Sequence, residues 1–195
     1  MIFENINLIG KKAFIIPLQE KHLYELSEAG KFPEIWEHLQ INLSTIDIMK
    51  NFIDESLINK EKGKELPFVI IDRSFNKIVG FSKFVDLNLI HRGLEIGYTW
   101  FTPSVWSTGI NMESKYLLLK YCFEGLKMIR VQFRTNHLNI RSQKAILKLG
   151  ATYEGSFRNH SIRKDETYRD TLYYSITIED WKEVKNNLEK KLNYQ

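Results

Sequence analysis

The chain has 195 residues, 43% hydrophobic and 27% charged, the balance of one globular domain (residues 1–195) rather than of a disordered segment. Its net charge of +4 comes from 28 basic and 24 acidic residues. These interleave, as in Glu61-Lys62-Gly63-Lys64-Glu65 and Arg163-Lys164-Asp165-Glu166, without the basic block and interspersed aromatics of a nucleic-acid binder, so no nucleic-acid partner is expected. Apolar runs such as Phe68 to Ile71 fall far short of the roughly 20 residues of a membrane helix, so no membrane partner is expected either. One cysteine, Cys122, excludes an intrachain disulfide and a cysteine-based zinc site. The opening Met1 to Asn7 has no basic stretch leading into an apolar one, so a cytoplasmic location is the default expectation.

In chain order, residues 7–16 alternate loosely and read as a strand before Pro17. Gln19 to Ala29 reads as a short helix with Leu23, Leu26 and Ala29 on one face. Ser44 or Thr45 caps a helix running to Lys62, with Ile48, Phe52, Ile53 and Leu57 in a stripe and Gly63 as the stop. Pro67 to Ile71 and Lys77 to Leu87 read as strands joined by a turn over Asp72 to Asn76. Leu94 to Phe101 is a third strand, ended by Thr102-Pro103. A helix from Gly109 to Gly125 and a strand from Ile129 to Thr135 follow. Asn139 then caps a helix to Leu149, with Gly150 past its end. Ala151 to Arg163 and Thr167 to Ile178 read as a hairpin, and a polar helix closes the chain. This order predicts an α+β protein, a mixed sheet with helices on its faces.

Two joins carry candidate chemistry. Between Phe101 and Asn111 the chain reads Thr-Pro-Ser-Val-Trp-Ser-Thr-Gly-Ile. Small residues at 107 to 109 let the backbone approach a ligand, and the helix starting there aims free N–H groups and its positive dipole end at the loop. That is a cradle for pyrophosphate as well as an ordinary capped turn. The second join is Asn139-Ile140-Arg141-Ser142, leading into Ala145-Ile146-Leu147-Lys148-Leu149-Gly150-Ala151.

Together these segments resemble the signature regions of the GNAT superfamily of acetyltransferases. The family's loop reads Gln/Arg-x-x-Gly-x-Gly/Ala; here Gly109 matches, while Trp106 and Asn111 depart at its ends. Its second segment reads Asn-x-x-Ser/Ala and runs into a helix ending in Gly-Phe or Gly-Ala. Leu94-Glu95-Ile96-Gly97-Tyr98, Gly150 to Gly155 and Thr167 to Ile176 are similar to the branch of the ribosomal-protein N-terminal (alanine/serine) acetyltransferases. The resemblance implies a central, largely antiparallel twisted sheet with helices on both faces, and acetyl-CoA as cosubstrate with no metal. It also implies direct attack by an amine in a ternary complex, without an acyl-enzyme. Cys122, in the apolar stretch of its helix, reads as a packed core thiol.

The resemblance also suggests where ligands sit. Backbone groups of Trp106, Ser107, Thr108, Gly109, Ile110 and Asn111 would hold pyrophosphate, and Asn139 the pantetheine arm. Ser142 would give a proton to the leaving thiolate. N–H groups around Trp100 and Phe101 would stabilise the oxyanion. Glu95, expected on one strand face with Gly97 and Thr99, is the candidate base. His160 and Asp170 are candidates for the acceptor side. A protein N-terminal α-amine is the favoured acceptor. A polyamine or antibiotic amine, a CoA-binding module without catalysis and a homodimeric assembly stay open.

Overall fold

A computed structural model describes residues 6–163 and 165–194. The opening segment as far as residue 5, and Lys164 in the mixed-charge run, lie outside the described residues. The strands are β1 (Leu8–Ile9), β2 (Ala13–Pro17), β3 (Leu66–Asp72), β4 (Lys77–Asn88), β5 (Gly93–Phe101), β6 (Arg130–Asn136), β7 (Thr152–Ile162) and β8 (Tyr168–Thr177). The helices are α1 (Leu23–Gly30), α2 (Ile46–Glu61), α3 (Ile110–Lys120), α4 (Ile140–Leu149) and α5 (Ile178–Lys191). The expected strand over residues 7–16 is in fact a tight hairpin, because Gly10 closes a turn by donating its N–H to the Ala13 carbonyl at 2.8 Å. The expected helix from Gln19 starts with a 3-10 turn, Glu20–His22, before α1.

All eight strands form one sheet in the order β1-β2-β3-β4-β5-β6-β8-β7. Alternation sorts their side chains to two cores. Phe68 and Ile70 of β3, Phe84 of β4, Leu94 and Ile96 of β5 and Phe133 of β6 share a cluster with Leu118 of α3, Ile146 of α4 and Trp181 of α5. Val69 and Phe81 point the other way, into a cluster with Leu26 of α1, Phe52 and Ile53 of α2, and Trp36 and Trp100. The sheet is therefore covered by α3, α4 and α5 on one face and by α1 and α2 on the other.

The central join is irregular. Every neighbouring pair is antiparallel except β5 and β6. These run parallel and pair only at Gly93–Arg130, Leu94–Val131 and Glu95–Gln132. Beyond Glu95 the two strands are not paired with each other. On its other side β5 carries a bulge: Phe81 opposes Trp100 and Lys83 opposes Gly97, so Tyr98 and Thr99 stand against Ser82 alone. Tyr98 takes φ +54°, the left-handed region that bulged strands use. A bulge bends and overtwists its strand, which carries the end of β5 away from β6 and opens the sheet in its middle.

Candidate active site

The cofactor side starts where β5 ends. A 3-10 turn at Pro103–Val105 redirects the chain into α3. Gly109, at the cap of α3, has φ +94°, so glycine is required by conformation. A Cβ there would meet only the tip of Lys12, at 3.2 Å. The first N–H groups of a helix have no intrahelical acceptor, and that of Ile110 has only a distant one in Thr108 Oγ1, at 3.5 Å. Buried Glu113, one turn on, fixes this helix end by accepting from the N–H groups of Lys11 at 2.9 Å and Lys12 at 2.7 Å and from Tyr194 Oη at 2.8 Å. Lys12 Nζ in turn donates to the Thr108 carbonyl at 2.6 Å.

Trp106 does not offer its side chain to a ligand as a Gln or Arg would. Its Nε1 donates to the Phe101 carbonyl at 2.9 Å, and the guanidinium of Arg141 lies 3.9 Å over its ring. A cation from α4 thus stands over the residue that departs from the loop pattern. Asn139 caps α4, its Oδ1 accepting from Ser142 N at 2.9 Å, which leaves its amide nitrogen for a ligand. Asn111 Oδ1 is buried without a partner among the described residues. A buried acceptor left unpaired is costly, and an amide N–H of a pantetheine arm would satisfy it.

A cleft of about 410 Å³ occupies the opening between β5 and β6. Trp100, Phe101, Trp106, Ser107, Gly109, Asn111, Asn139 and Ser142 line it. The lining runs from α3 and α4 on one face of the sheet to Ile35, His38 and Leu39, before α2, on the other. Gln40 Nε2 reaches Ser161 Oγ of β7 at 2.6 Å, tying this connector to the final hairpin.

Five predicted residues do not line the cleft: Thr108 and Ile110 stand between lining neighbours, Ile110 in the core, and the other three fall elsewhere. Glu95 is 4% exposed and does not line the cleft. Its carboxylate is paired with Arg134 Nε and accepts from Gln132 Nε2 at 3.2 Å. Burial raises its carboxyl above the ordinary range, against the pull of Arg134. The space over Gly97 is filled by Glu95 itself: a Cβ there would lie 2.7 Å from Oε1. Thr99 does not share the face of Glu95, because the bulge at Tyr98 shifts the alternation. It turns instead toward α3, accepting from Lys115 Nζ at 2.5 Å. His160 and Asp170 also miss the cleft and border a separate open depression with Phe157, Arg158 and Asn159. The hairpin register is irregular between Phe157 and Ser161, and Asn159 takes φ +49°. His160 thereby sits against Thr171 Oγ1, at 3.0 Å, and Asp170 Oδ1 accepts from Asn159 N at 2.8 Å.

Sequence reasoning missed two residues of the cleft wall. Lys115 lies one turn past Asn111 on α3, and the two share one helix face. It is buried, and burial pushes its ammonium down to about 7. The helical spacing from Gly109 was its only signal. Arg169 lines the cleft while its neighbour Asp170 does not, a matter of strand parity. Cys122 is fully buried and burial pushes its thiol well up, unsuited to nucleophilic work.

A helix start with a weakly bonded N–H group stands beside a cleft that passes through a parted sheet. Residues 13–152 match the model of the acetyltransferase (GNAT) domain. The chain belongs to the GNAT acetyltransferase family and is an acetyl-CoA-dependent N-acetyltransferase. It is similar to the uncharacterized N-acetyltransferase YoaA of Bacillus subtilis (strain 168), with 27% identity over 135 residues, 69% of this chain and 75% of that protein. A GCN5-related N-acetyltransferase from Brucella melitensis superposes with a TM-score of 0.90 at 23% identity, covering 98% of this chain and 87% of that one. A ribosomal-protein alanine acetyltransferase from Vibrio fischeri does so at 0.76 and 13% identity, covering 91% and 99%. These two likenesses bear on the fold alone. Among the described residues no helix is long and apolar enough to cross a membrane.

Proposed function

We propose that the chain acetylates a primary amine, most favourably a protein N-terminal α-amine, by direct attack within a ternary complex. The observation that carries this reading is the through-sheet cleft. Acetyl-CoA would enter from the face of α3 and α4, and the amine from the face of residues 35–40. In this reading pyrophosphate rests on the backbone of residues 106–111, with Arg141 and Lys12 supplying positive charge close by. Asn139 and Asn111 offer an amide nitrogen and a carbonyl oxygen to the pantetheine arm. Ser142, half-buried on the cleft wall, gives the departing thiolate its proton.

The proton that the amine loses on attack passes to bulk water rather than to Glu95, and water returns a proton to Ser142 after it has protonated the thiolate. The Glu95 carboxylate is held by Arg134, so direct abstraction would require the ion pair to open. Glu95 is better placed to hold Arg134 at the cleft wall. An α-amine, with a reference pKa near about 8, is already partly neutral at neutral pH, whereas a lysine amine near about 10.4 is not. This favours a protein N-terminus. The similar fold of an enzyme described as acting on a ribosomal protein is consistent with it, although fold does not fix substrate.

The test is thiol release from acetyl-CoA with a free-N-terminus peptide, spermidine and an aminoglycoside. Turnover with the peptide well above the other two supports the reading. Preference for a small amine replaces the acceptor, and CoA binding without thiol release with any amine replaces catalysis by a binding module.

A further inference from the structure

The acceptor side of the cleft carries an electrostatic imbalance. Arg134 and Arg169 line it, while Lys83 and Arg163 each touch a lining residue, Tyr98 and Asn136, and all but Arg169 have a polar partner. Lys83 Nζ pairs with Glu65 at 2.7 Å. Arg134 pairs with Glu95 and, through Nη2, with Asp86 at 3.0 Å. Arg163 reaches Asn136 Oδ1 at 3.4 Å and Thr167 Oγ1 at 3.3 Å.

Arg169 is the exception. It lines the cleft, and its Nε is buried without a hydrogen-bond partner. Among the described residues no carboxylate pairs with it. Burial, and after it the like charges of Arg163 and Arg134, lower its pKa from the ordinary value. Arg169 is half-buried, and leaving its buried Nε unpaired is costly; the planar fork of a guanidinium is matched to carboxylate and phosphate oxygens.

The register of β8 explains how it arrives there. Arg169 opposes Ser161, the residue that Gln40 bridges across the mouth. Arg169 therefore sits between the hairpin and the connector before α2, on the same face of the sheet as Arg134. The cations of the cofactor side, Arg141 and Lys12, lie against Trp106 and the Thr108 carbonyl, at the start of α3.

We propose that the acceptor carries an anionic group, a carboxylate or phosphate, a few bonds from the reacting amine, and that Arg169 binds it. This rests on the acetyltransferase reading above and narrows its acceptor. The shared chemistry has two sources: an acidic side chain following a peptide's N-terminus, or a small amine acid.

The experiment measures thiol release with pairs of amines, the peptides C-terminally amidated, in which one member carries an anionic group that the other lacks. Peptides Ser-Asp-Gly and Ser-Asn-Gly represent the first source, and phosphoethanolamine and ethanolamine the second. A charge-assisted hydrogen bond of this kind is worth about ten- to hundredfold. We expect kcat/KM to favour the anionic member of a pair by that factor. Arg169→Gln should abolish the preference through the acceptor KM, with the acetyl-CoA KM unchanged, and Arg169→Lys should restore part of it. The pair that shows the preference identifies the source.

Equal rates within both pairs would overturn the proposal. So would an Arg169→Gln enzyme whose acetyl-CoA KM rises while its acceptor KM does not, since Arg169 would then serve the cofactor. If no amine is turned over, it is the acetyl-transfer reading that fails. Titration with the N-acetylated tripeptides then decides the charge proposal on its own. Tighter binding of the Asp product, lost in Arg169→Gln, sustains it, and equal binding of the two products refutes it.

Discussion

The two mouths of the cleft are made of different material. On the α3–α4 side the working parts are close in sequence and partly backbone: the helix start at Gly109, pinned from behind by Glu113, and the cap that the Asn139 side chain makes on α4. On the opposite side they are side chains brought together from distant segments, Arg134 from β6, Arg169 from β8 and His38 from the connector before α2. Backbone sites tolerate changes of side chain, which is why Trp106 can stand in the loop. A side-chain site changes its ligand with one substitution. The contrast predicts that single substitutions change ligand binding more on the second face than on the first.

Lys115 stands between the two sides, and its removal gives the largest expected effect. Its folded pKa of about 7 lies below the unfolded value near about 10.4. The unfolded chain therefore binds more protons between these values, and stability rises with pH across that window. Below pH 7 the full cost of burying the charge is present, on the order of 4 kcal/mol. Lys115→Met should raise stability to denaturant most below pH 7, with the advantage shrinking toward pH 10. A pH-independent difference would mean the amine is already solvated.

Gly109→Val attacks the backbone side. A β-branched residue at φ +94° is strained, and the loop must shift to relieve it. Acetyl-CoA affinity should fall about a hundredfold in a variant whose circular dichroism is unaltered. Unchanged affinity would move the phosphates elsewhere. Ser142→Ala is subtler, lowering kcat about tenfold while acetyl-CoA binding stays within about twofold, as expected of a group needed in the transition state. Full turnover would reduce Ser142 to a first-turn residue of α4.

Glu95→Gln should do least. If Glu95 only holds Arg134, kcat should drop tenfold or less, roughly, with the shape of the pH–rate profile kept. Loss of a general base would instead cost about 10²–10⁴-fold and recover partly at high pH.

The same contrast governs what could be read from the sequence. The cofactor side is local: a strand, a proline, small residues and a helix start lie within about a dozen positions, and Asn139 is followed at once by its helix. Element order and capping residues were legible for the same reason. The acceptor side depends on register. One bulge, at Tyr98, moves Thr99 off the face of Glu95, and nothing in Ile-Gly-Tyr-Thr announces it. The irregularity between Phe157 and Ser161 likewise put His160 outside the cleft, and parity exchanged Asp170 for Arg169. The ion pair of Glu95 with Arg134 joins strands whose order no local pattern fixes. Lys115 was hidden in an apolar helix, where a lysine reads as an interruption rather than as part of a wall.

In the proposed reaction, donor and acceptor meet through the opening between β5 and β6. A crystal structure of the protein with CoA tests it most directly. Pyrophosphate is expected against the N–H groups of residues 107–111 and the thiol in the opening, between residues 97–100 of β5 and 133–136 of β6. CoA bound away from α3, or a thiol that stops short of the parted strands, would contradict it.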